Sequence, residues 1–93
     1  MPTIPPITEI EDYLLGLVAR DRNITLEAVR EEGLRSPHDP PWSSEEFVHY
    51  QFEIEEHFGL DLDPVEVEEV QRDVARLSVF IQDLLAQRIV QSA

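Results

Sequence analysis

Ninety-three residues suit a single domain with one modest core, and the absence of cysteine excludes disulfides, thiolate metal sites and thiol catalysis. Twenty acidic residues face seven arginines and no lysine, for a formal net charge of −13. Such a surface repels phosphate backbones and anionic lipid, so nucleic-acid and membrane partners are disfavoured and basic protein surfaces are attracted.

Met1–Pro6 holds three prolines and reads as an extended lead-in. Met1–Ile10 has no basic residue ahead of an apolar stretch, and no apolar run approaches the roughly 20 residues that span a bilayer. The expectation is a soluble, cytoplasmic protein. Ile7, Ile10, Leu14, Leu17 and Val18 then recur at helical spacing. They predict a first helix over about 8–20, opened by a Thr8–Glu11 capping box with Glu9 and Asp12 near the positive dipole end. Asp21-Arg22-Asn23 ends the segment, and Ile24, Leu26 and Val29 are expected to tuck under the helix from a short turn. Glu31–Pro41 contains Gly33, Pro37, Pro40 and Pro41 without periodicity, which predicts a connecting loop of about eleven residues.

The second predicted helix runs from Ser43 to about Phe58. Ser43 as N-cap with Glu46 three residues on forms a capping box, and Gly59 suits the C-terminal cap. Phe47, Tyr50, Ile54 and Phe58 make its core-facing stripe, and Trp42 just before the cap is placed to anchor the loop on the core. Leu60 and Leu62 follow in an extended link. Asp63 caps a short third helix with Pro64 first, Val67 and Val70 inward, and Glu66, Glu68 and Glu69 on its exposed surface. Asp73 caps a last helix to about Val90, lined by Val74, Leu77, Phe80, Ile81, Leu84 and Leu85. The expected architecture is all-α: one four-helix bundle over residues 7–90 with a long first loop and a short third helix.

Metal and catalytic readings are weak. His49, Glu53 and His57 share a helical stripe, but the histidines lie about 12 Å apart along the axis, too far for one ion. His38-Asp39 reads as turn chemistry. The serine pair Ser43-Ser44 has no adjacent base, so a catalytic serine is disfavoured.

Phe58-Gly59-Leu60-Asp61-Leu62-Asp63-Pro64 resembles the acidic helix end and following link of acyl carrier proteins. Val74-Ala75-Arg76-Leu77-Ser78-Val79-Phe80-Ile81 is similar to their last helix, where Val-x-x-Leu-x-x-Tyr-Ile is usual. The resemblance covers about residues 7–85 and includes the helix order. It implies a carrier and not an enzyme, with a 4′-phosphopantetheine arm on the serine of an Asp-Ser-Leu motif. Aligned from Phe58, that serine is Ser44, with Ser43 as the lesser candidate. Here the sequence departs from the family: Glu45 stands in place of the leucine, and His38-Asp39-Pro40-Pro41-Trp42 replaces the usual Leu-Gly upstream.

Val48 and Phe52 lie four and eight residues beyond Ser44 on one stripe, flanked by Glu45, Glu53 and Glu56. By resemblance this stripe meets basic surfaces of partner enzymes: a phosphopantetheinyl transferase, and acyl synthases or ligases of fatty-acid or polyketide type. The carrier is expected to be a monomer. Two alternatives keep other classes open: an armless, acidic interaction module on the same fold, or an acidic inhibitor or immunity-type bundle.

Overall fold

The computed structural model describes residues 4–35 and 42–92. Every element among them is helical: α1 (Ile7–Arg22), α2 (Leu26–Arg35), α3 (Ser44–Phe58), α4 (Pro64–Val70) and α5 (Val74–Ser92). The all-α class is thus observed, with five helices where four were expected. Pro37, His38, Asp39, Pro40 and Pro41 lie outside the described residues.

The additional helix is α2. Thr25 caps it, its Oγ1 accepting from the Ala28 N–H at 3.1 Å. The run Leu26-Glu27-Ala28-Val29-Arg30-Glu31-Glu32 is rich in good helix formers. One interior glycine costs about 1 kcal/mol against alanine, and Gly33 is carried through by its neighbours. The long loop expected from Glu31 is therefore shorter, since Glu31–Arg35 completes a helix that packs on α1. Val29 is buried as expected, whereas Ile24 remains 39% exposed in the α1–α2 turn.

A second correction concerns the start of α1. Pro6 occupies the N-cap with no side-chain cap, and its carbonyl accepts from Glu9 and Ile10 at 3.0 and 3.2 Å. Its ψ of 158° is the extended conformation an N-cap requires. Thr8 is consequently already helical, and the Thr8–Glu11 box does not form. The helix ends at Asn23, which adopts φ 56°, a left-handed conformation asparagine tolerates.

The core gathers Ile10, Leu14 and Val18 from α1, Val29 from α2, Phe47 and Ile54 from α3, Val67 from α4, and Leu77 and Ile81 from α5. Leu60 and Leu62 seal it from the α3–α4 link. Helix α1 packs against α2 and α5, and α4 against α5. Ser78 is also fully buried within the apolar face of α5, its hydroxyl donating to the Val74 carbonyl at 2.8 Å. That bond satisfies a group whose isolation would be costly. Among the described residues no helix is long and apolar enough to cross a membrane.

Candidate functional site

Helix α3 carries the residues singled out by the sequence, and its start has the expected chemistry. Ser43 is the N-cap: its hydroxyl accepts from the Glu46 N–H at 3.1 Å, and the Glu46 carboxylate accepts from the Ser43 N–H at 2.9 Å. Glu46 is also bridged by Arg22 of α1 at 3.2 Å. The Ser43 N–H holds the Glu46 carboxyl below the ordinary glutamate value, against desolvation and with help from Arg22. With Ser43 as the cap, Ser44 becomes the first helical residue, exposed and outside the box.

Trp42 fixes this end of α3 to the rest of the protein. Its ring is 5% exposed, lies 5.5 Å from the Phe47 ring and meets Tyr50 edge-on at 6.1 Å. Its Nε1 donates to the Gln71 carbonyl at 2.9 Å, tying the entrance of α3 to the α4–α5 turn. A crevice of about 50 Å³ opens beside Ser44, lined by Trp42, Phe47, Gln71 and Arg72. Arg72 was not legible as a neighbour of Ser44, since nothing local in the sequence relates residues 28 positions apart.

From Ser44 a bare apolar stripe follows the helix. Val48 is 54% and Phe52 67% exposed, and Glu45 and Glu56 beside them are also exposed. Glu53 stands apart from this group. Nine residues beyond Ser44, it points roughly 180° away around the helix and pairs with Arg20 of α1.

Glu53 belongs to a seam that clamps α3 to α1. Tyr13 donates to the Glu53 carbonyl at 3.3 Å, and its ring stacks on His57 at 4.0 Å and meets Phe58 edge-on at 5.2 Å. The buried Tyr50 donates its hydroxyl to Asp21 at 3.1 Å, and desolvation with the Asp21 bond pushes its ionisation well above the usual tyrosine range. Of the His49–Glu53–His57 stripe, both histidines are exposed, His57 while stacked on Tyr13 of α1, and Glu53 is half-buried against Arg20.

The arrangement offers an exposed hydroxyl at a helix start, an apolar strip leading away from it, and carboxylates on its flank. Among the described residues it offers Ser44 no neighbouring base. Compared with known protein families, curated proteins and solved structures, the chain matches none.

Proposed function

We propose that this chain is an acyl-carrier-like domain that presents an acyl or related thioester on a 4′-phosphopantetheine arm at Ser44. The observation that carries the reading is the alignment of exposed Ser44 with the solvent-facing Val48 and Phe52 on α3. A large apolar side chain left two-thirds open beside exposed acids is suited to a partner with an apolar centre and a basic rim. In this reading the domain is not an enzyme and works in the cytoplasm. A phosphopantetheinyl transferase loads it, and acyl synthases or ligases dock along α3. The free N–H groups at the start of α3 would favour the phosphodiester of the arm.

A second reading keeps the docking face and removes the arm. It is favoured by Glu45 in place of the leucine that follows the attachment serine in carrier proteins. The domain would then hold a basic partner through Val48, Phe52 and the flanking acids.

Intact-mass measurement after co-expression with a broad-specificity phosphopantetheinyl transferase separates the two. The carrier reading expects the mass gain of the arm, lost in Ser44→Ala and kept in Ser43→Ala. No gain with several transferases sinks the carrier and leaves the armless module. If Val48→Asp and Phe52→Asp leave every partner interaction intact, the docking face fails in both readings.

A further inference from the structure

Arginine partnering separates one region from the rest of this acidic surface. Arg20 pairs with Glu53, Arg22 with Glu46 and Glu32, and Arg30 with Asp12, while Arg88 donates to the Gly59 carbonyl. Among the described residues, the guanidinium groups of Arg72 and Arg76 stand without a carboxylate partner; the Asp73 carboxylate between them accepts from the backbone N–H groups of Ala75 and Arg76 at 2.9 and 3.3 Å. They sit in the α4–α5 turn and the first turn of α5.

Arg76 borders an open groove of about 410 Å³ lined by Val70, Ala75, Val79, Phe80 and Asp83. That volume lies in the range of small-molecule sites, roughly 300–1,000 Å³. Val79 is 42% exposed on its wall. The groove lies between α4 and α5, away from the Val48–Phe52 stripe.

We propose that this groove binds a small apolar molecule carrying one carboxylate head, with the head at Arg76 and the tail along Val79 and Phe80. A guanidinium takes a carboxylate through two parallel hydrogen bonds, and Arg76 has no internal competitor for them. Asp83 fixes the direction. It lies seven residues beyond Arg76, about 10 Å along the helix axis, so it neither neutralises Arg76 nor tolerates a carboxylate at its own end.

Other occupants fit less well. A second copy brings another net charge of −13 to the contact. A basic partner helix, which the surface as a whole would attract, meets an unpaired arginine at the groove mouth. The general acidity of the protein opposes any anion at long range, but at physiological ionic strength charges more than about 8 Å away are largely screened. The proposal does not depend on the Ser44 reading.

The test titrates the unmodified full chain with decanoate and, separately, with decyltrimethylammonium, following the methyl NMR signals of Val70, Ala75 and Val79. Decanoate should give saturable shifts confined to these methyls, with weaker binding of the cationic probe. Arg76→Ala should weaken decanoate by about tenfold, the loss of one charged, hydrogen-bonded pair, with partial retention in Arg76→Lys. Ser44→Ala should bind as the parent does. A circular dichroism spectrum of each variant verifies the fold. The proposal is overturned if decanoate fails to saturate or if its shifts spread to the α3 stripe. It is also overturned if the cationic probe binds equally well, if Arg76→Ala changes affinity by less than about twofold, or if Ser44→Ala abolishes binding.

Discussion

The two serines at the start of α3 have different duties, and replacing each by alanine measures the difference. In Ser43→Ala the hydroxyl that accepts from the Glu46 N–H at 3.1 Å is lost, leaving an amide of the first turn to water. The reciprocal bond from the Ser43 N–H to the Glu46 carboxylate, at 2.9 Å, uses backbone and survives the change. Only half of the box is removed, so the loss should be about 1 kcal/mol, below the upper end of measured cap deletions near 2. For a domain of this size that corresponds to a fall in Tm of about 4–8 °C. Ser44→Ala places a strong helix former at an exposed first position and should stay within about 0.5 kcal/mol of the parent. Thermal denaturation followed by circular dichroism at one pH and salt compares all three proteins. If Ser44→Ala is destabilised as much as Ser43→Ala, Ser44 is a cap and the division of labour at this site is wrong.

Two further outcomes follow from the same end of α3. Because the Glu46 carboxyl is held below its ordinary value of 4.5, its contribution is present above that pH and is lost as pH falls through the depressed value. Glu46→Gln should therefore lower the urea midpoint at neutral pH and make the decline below 4.5 shallower; an unchanged slope would remove Glu46 from the acid response. Trp42 is the single tryptophan and is 5% exposed, so native emission should be blue-shifted and protected from iodide, then move red on unfolding. Native emission like that of free tryptophan would contradict its packing on Phe47 and its bond to Gln71.

Local chemistry was readable where the chain offers a single solution. Ser43, Glu46 and Gly59 bracket α3 with signals that agree with the apolar spacing of Phe47, Tyr50 and Ile54, and the helix forms between them. The same Thr-x-x-Glu pattern misled at Thr8, because the apolar rhythm already includes Ile7 and Pro6 can serve as the cap through its carbonyl. Gly33 looked like a stop, yet the preceding helix formers outweigh it and α2 continues to Arg35. The contacts that Glu53 and His57 make with α1 were not legible for a different reason. Their partners, Arg20 and Tyr13, are 33 and 44 residues away, and no local pattern encodes which helix faces which. For the same reason the stripe of Val48 and Phe52 could be named from spacing, while the neighbourhood of Arg72 and Ser44 could not.

The seam between α3 and α1 has a consequence for anything that lands on the opposite side of α3. Ion pairs at Glu46 and Glu53, the Tyr50–Asp21 bond and the Tyr13–His57 stack hold the helix at several levels along its length. The Val48–Phe52 strip is thus carried on a helix that is tied to α1 from behind. Under the proposed docking role, a partner would have mainly side chains such as Phe52 to order, at about 0.5–1.5 kcal/mol each. On that proposal, loosening the seam from behind, at Arg20 or Asp21, would weaken a partner that never touches either residue.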